Sequence, residues 1–230
     1  MNSKENLYNN LIYEACVGNL FEAIQAEKKG ANRVELCFDL KNAGLTPPEH
    51  WILEAKKILK IPVFIIIRPT YRDFYYTDEE FELMKKQIIF CKQNNIDGVV
   101  FGILEKKNII RLDLIRNKEL AELSKPMKIT FHMAFDLIAE VNDLSVEQIL
   151  NKKFEAIENL IEMKFDRILT KGGIQNAITG KENLKKMIEY AQDKLIVMPG
   201  GGVNYTNKFE LAEYINCKEM HGTKIVGELN

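Results

Sequence analysis

Eight short apolar runs, rich in β-branched and aromatic residues, recur along this chain at about residues 11–17, 33–38, 61–69, 98–104, 128–136, 167–173, 195–202 and 219–226, with helix-length stretches between them. Strict alternation of this kind calls for parallel strands joined by helical crossovers. The run 61–69 is apolar almost throughout, as a strand covered on both faces must be. Helix boundaries carry their own signals, with Asn19 before the first helix, Gly30 after it, and Asp78, Glu79 and Glu80 in the first turn of the third. Eight units with no linker between them predict one TIM-type (β/α)8 barrel over residues 11–230, after a polar N-terminal extension, 1–10. A doubly wound open sheet is the alternative, and it would use fewer strands. The strand ends favour the barrel. Cys16, Cys37, Arg68, Gly102, Asp136, Gly172, Gly200 and Thr223 stand there, where a barrel carries its site.

Composition narrows the function classes. The formal charge is -1 and no long run of one sign occurs, so the footprint of a nucleic-acid or anionic-membrane partner is absent. The first ten residues lack the apolar segment of a signal peptide, and the apolar runs are too short to span a bilayer. A cytoplasmic protein is expected. Its four cysteines, Cys16, Cys37, Cys91 and Cys217, have no Cys-x-x-Cys spacing and should remain thiols in a reducing compartment.

The run 128–136 places ionisable groups in a strand that otherwise reads as buried. Alternation puts Thr130, His132, Ala134 and Asp136 on one face and Phe131, Met133 and Phe135 on the other. The polar face needs partners, because an unpaired buried imidazole or carboxylate costs several kcal/mol. A structural His–Asp pair meets that need as well as a functional site does. By the same parity Glu14, Glu35, Arg68, His132, Asp136 and His221 can all face one barrel mouth. A mixed-sign cluster there suits acid/base chemistry, with a salt-bridge network as the plain alternative.

Two further patterns carry chemistry. Glu14 with Cys16, and Glu35 with Cys37, repeat Glu-x-Cys on what should be neighbouring strands. If both face inward, the thiols lie roughly 5 Å apart, one inter-strand spacing, and two thiolates suit a soft ion such as Cu(I). Two ordinary buried cysteines would show the same spacing. The second pattern is Gly200, Gly201 and Gly202 after strand seven, with Gly172 ending strand six. Glycine amides after strand seven are a common place for a phosphate group in barrels, although a glycine run is equally a tight turn.

The segments Glu14-Ala15-Cys16, Arg33-Val34-Glu35-Leu36-Cys37, Ile67-Arg68-Pro69, Asp73-Phe74, Phe131-His132-Met133-Ala134-Phe135-Asp136, Met198-Pro199-Gly200-Gly201-Gly202 and His221-Gly222-Thr223 resemble the signature of the CutC family. The resemblance runs from strand one to strand eight. It implies a cytoplasmic barrel tied to copper handling, with Cys16 and Cys37 as the copper positions. Three departures stand out. Two glycines of the family's loop after strand three are Tyr71 and Arg72 here, an Arg common in the fifth strand is Met133, and the chain stops after strand eight where many relatives add an eighth helix. The missing helix predicts that the segment around Leu7 and Tyr8, or a second subunit in a homodimer, covers strand eight. Two functions follow. One is a copper homeostasis protein binding Cu(I) on Cys16 and Cys37. The other is a barrel enzyme, lyase or isomerase in type, acting on a phosphorylated small molecule, with His132 or a carboxylate as base, Arg68 on an anionic group and the glycine loop on phosphate.

Overall fold

The computed structural model describes residues 10–140 and 143–229. β1 (Ile12–Val17) leads through α1 (Leu20–Lys28) to β2 (Arg33–Leu36), and α2 (Glu49–Ile58) leads to β3 (Val63–Ile66). After α3 (Asp78–Gln93) come β4 (Gly98–Phe101) and a hairpin of β5 (Leu104–Lys106) and β6 (Ile110–Leu112), then α4 (Leu114–Ser124) and β7 (Lys128–Phe131). The last units are α5 (Val146–Glu162), β8 (Arg167–Thr170), α6 (Lys181–Ala191), β9 (Ile196–Pro199), α7 (Lys208–Ile215) and β10 (Glu219–Gly222).

Eight of these strands form one sheet in the order β10-β1-β2-β3-β4-β7-β8-β9, parallel at every pair. The barrel is nearly closed. β9 and β10 lie side by side without a ladder of their own among the described residues, and β9 itself supplies a reason. Ile196 and Gly200 donate their N–H groups to β8 and the turn before it, through Asp166 O and Thr170 O. Position 199, of opposite parity, therefore faces β10, and a proline there has no N–H to give. Beyond this point the seam is tied by a bridge between Asn204 and Lys224 and by Tyr205 N donating to Lys224 O at 2.9 Å.

The outward faces of the strands, among them Ala15, Val34, Leu36, Ile65, Val99 and Ile168, are fully buried in the main apolar cluster beneath the helices. Sequence signals explain the helix starts. Asn19 Oδ1 accepts from Glu22 N at 2.9 Å at the head of α1, and Thr77 with Glu80 makes a capping box at the head of α3.

Three expectations change in detail. The run 98–104 is a strand only to Phe101, and its end begins the β5–β6 hairpin. The run 128–136 is a strand only to Phe131, and Met133–Leu137 is a 3-10 turn. The last run ends as a strand at Gly222, and residues 223–229 are not helical, so the barrel lacks its last helix among the described residues. The expected covering segment, Leu7 and Tyr8, lies outside the described residues. No described helix is long and apolar enough to cross a membrane.

Candidate functional site

The inward side chains stack in layers. In the lower one Arg33 of β2 pairs with both Glu14 and Glu219, and Arg167 of β8 reaches Glu219 at 3.1 Å. The two guanidinium groups lie over the Phe64 ring at 4.7 and 5.1 Å from its centroid. Gly98 faces that ring because a Cβ there would come within 2.6 Å of it. Buried charges persist only when paired, and each of these is. This floor was not foreseen in the sequence. Parity held the signal, since Arg33 shares a face with Glu35 and Cys37, and Glu219 shares one with His221.

Above the floor a cavity of about 380 Å³ opens at the C-terminal ends of the strands, and Cys16, Glu35, Cys37, Arg68, His132 and His221 stand in its wall. Cys16 and Cys37 Sγ are 3.9 Å apart and form a small apolar cluster with Ile66 and Leu40, separate from the main core. His221 comes from β10 to sit beside them. Its Nδ1 is 2.7 Å from Glu14 Oε1, and its Nε2 is 3.6 Å from Glu35 Oε2. The Cys37 sulfhydryl, ahead of His221 and Glu35, holds the Cys16 thiol down at about 5 in spite of burial. Cys37 moves the other way, well above the ordinary thiol value, through the same hydrogen bond and through burial. Burial, and then the Cys16 charge, push Glu35 well above the carboxylate range. Against a large desolvation cost, the Arg33 charge and the His221 contact keep Glu14 well below it. Burial also opposes the His221 charge, but the contacts with Cys16 and Glu14 outweigh it and hold His221 well above its usual value. The result is an imidazolium between a carboxylate and a thiolate.

Other predicted residues occupy different places. Arg68 Nη1 donates to the carbonyls of Asn42, Ala43 and Gly44 at 2.9–3.1 Å, and Nη2 donates to Tyr71 O at 3.1 Å. Its guanidinium also stacks on Phe74, 5.0 Å from the ring centroid. Asp136, expected on the face of His132, is turned away by the 3-10 segment and is not part of the cavity wall. It accepts from Thr170 Oγ1 at 2.6 Å and from Lys171 N at 3.1 Å, and burial lifts its carboxyl to about 6. Glu14 is likewise behind the wall, touching the site through His221. Gly201 and Gly202 line the cavity with φ of 75° and 91°. Gly200 N remains in the β8 ladder, and Gly172 packs on Gly180, whose carbonyl would lie 2.4 Å from a Cβ there. Phe74 and Lys224 also line the cavity from loops, where parity gives no signal, and Met133, which alternation put on the face away from His132, joins His132 in the same wall because the strand ends at Phe131 and Met133 begins the 3-10 turn.

The comparisons agree with this architecture. The sequence model of the CutC family matches residues 11–226. A human protein named copper homeostasis protein cutC homolog is 35% identical over 218 residues, covering 95% of this chain and 75% of its own length. A CutC family protein of Enterococcus faecalis is 35% identical over 224 residues, covering 94% of this chain and 100% of its own. The crystal structure of CutC from Streptococcus agalactiae superposes with a TM-score of 0.84 at 30% identity, covering 93% of this chain and 99% of that one.

Proposed function

Since this chain belongs to the CutC family, whose relatives carry the name copper homeostasis protein, we propose that it binds Cu(I) on Cys16 and Cys37 at the barrel mouth. The observation that carries this reading is the thiol pair, 3.9 Å apart in a cavity wall. The donor set fits a soft ion. The thiolate is the ligand form, Cys16 reaches it well below neutral pH, and soft sulfur ligands select Cu(I) over harder ions. Cys16 and Cys37 would hold the ion through their two sulfurs and would supply it with soft thiolate ligands. Glu35 lies within 4.8 Å of both sulfurs as a further donor. A cytoplasmic setting suits the reading, because thiols stay reduced there.

The test is anaerobic titration of Cu(I) against a competing chelator, with wild type and the Cys16→Ala, Cys37→Ala double variant. One equivalent per chain is expected, and the double substitution should weaken it by more than the roughly 10–100-fold that loss of an outer-shell partner costs. Equal affinity in the two proteins would remove the proposal. The enzyme reading draws its own support from Gly201 and Gly202, which stand in the same wall and have positive φ.

A further inference from the structure

We infer that Cys16, His221 and Glu14 act as nucleophile, base and orienting carboxylate, and that the metal-free protein cleaves a small ester or thioester with a short apolar acyl group through a thioester on Cys16. The sheet register builds this row. Glu14 and Cys16 are two apart on β1 and share its inward face, and His221 of β10 stands opposite Glu14 in the ladder. The imidazole runs from the carboxylate toward the thiol. Its Nδ1 is 2.7 Å from Glu14 Oε1, and the ring is hydrogen-bonded to Cys16. Glu35 Oε2 approaches Nε2 only to 3.6 Å, too far for a hydrogen bond. Glu14 is itself fixed from below by Arg33. A thiol within reach of a base that a third group orients is the arrangement that activates a nucleophile.

A His–Glu pair kept only for packing has no need of a thiol at its far end in a cavity wall. Here Cys16 and His221 both stand in that wall, and the carboxylate lies behind it, so the two groups that would touch a substrate face the open space and the orienting one does not. The cavity, about 380 Å³, is of a size that holds small molecules and is far larger than one metal ion fills. Leu40, Ile66, Phe74 and Leu169 make much of it apolar, which suits a short acyl chain.

The glycine loop lies against the same imidazole. A Cβ on Gly200 would come within 3.2 Å of His221 Cδ2, and the N–H groups of Gly201 and Gly202, in the same wall, donate to no described residue. They are available to a carbonyl oxygen as it gains charge. In the first step the Cys16 sulfur bonds to the acyl carbon while its proton rests on His221, the bond to the leaving oxygen or sulfur breaks, and that proton passes to the leaving group. In the second, water gives a proton to His221 and attacks the thioester, the acid departs, and Cys16 is regenerated. Ester and water become acid and alcohol, with no metal and no oxidant, so this inference stands or falls separately from copper.

Reduced protein would be mixed with p-nitrophenyl butyrate in the presence of a Cu(I) chelator, with nitrophenolate read by absorbance and the acylated residue located by peptide mass spectrometry. Butyryl should appear on Cys16 and not on Cys91 or Cys217. Its transfer should be at least about 100-fold faster than to N-acetylcysteine at equal thiol concentration and pH, the lower end of what a positioned acid–base group contributes. His221→Gln should lose about the same factor. Glu14→Gln, which acts only through His221, should lower kcat at least about tenfold and leave KM unchanged. The labelling of wild type needs no variant, so it decides the matter even if a substitution disturbs folding. Butyryl transfer no faster than to N-acetylcysteine, acylation of other residues but not Cys16, or an unchanged kcat in either folded variant would overturn the inference.

Discussion

In the ladder between β1 and β2, Cys16 stands opposite Glu35, so Cys37 is displaced from it by two residues along the strand as well as by one strand spacing. At about 3.3 Å per residue and 4.8 Å between strands, the two Cα atoms are about 8 Å apart, beyond the roughly 7 Å that a disulfide spans without backbone movement. The sulfurs still meet at 3.9 Å because the side chains incline toward each other. The pair is thus built to share a proton or an ion, and oxidation should not link it. Under oxidised glutathione, differential alkylation and mass spectrometry should find Cys16 and Cys37 unlinked to each other in folded protein. A Cys16–Cys37 cross-link formed with the fold intact would contradict this geometry. Parity made the two thiols legible in the sequence. It also put His221 at the same mouth, but not its contact with Glu14, which closes the barrel over 207 positions of chain. It misplaced Asp136, because alternation holds only while the strand lasts, and β7 stops one residue before His132.

At the scale of elements, the floor of the barrel depends on one exchange of volume between neighbouring strands. Phe64 of β3 fills the space that Gly98 of β4 leaves open, and its ring is the surface on which Arg33 and Arg167 converge from β2 and β8. Gly98→Ala would drive a methyl into that ring and displace both guanidinium groups. Overpacking of this kind costs about 1–3 kcal/mol, and urea unfolding should show a loss in that range with an unchanged slope. A neutral or stabilising result would mean that Phe64 has room to move. The eight-fold alternation of strands and helices was legible from apolar runs and caps, because those signals are local. The β5–β6 hairpin was not, since Leu104 closes the apolar run of β4 and the mostly charged or polar residues 105–108 after it read as a loop, so only the antiparallel pairing shows the hairpin. The floor network was missed for a related reason. Charged residues at strand starts read as solvated ends until the closed sheet turns them inward.

For the molecule as a whole, buried titratable groups make stability depend on pH with two opposing signs. His132 titrates at about 3 when folded against an ordinary 6.5. Between those values the unfolded chain binds a proton that the folded chain refuses, so this residue lowers stability as pH falls. Asp136 titrates at about 6 when folded against an ordinary 3.8. There the folded chain holds a proton that the unfolded chain has released, so this residue raises stability as pH falls. Each slope is limited to about 1.4 kcal/mol per pH unit, and between pH 6 and 4 the two nearly cancel. Single variants should separate them. In carboxylate-free buffer, the stability of wild type relative to His132→Phe should fall from pH 6 to pH 4, and that of wild type relative to Asp136→Asn should rise over the same range. Chemical denaturation at several pH values measures both differences. Because each difference isolates one group, contributions shared by the variants, such as the coupled cluster of Cys16, Glu35 and His221, drop out. Slopes of the same sign would show that His132 and Asp136 do not titrate in the environments the barrel gives them.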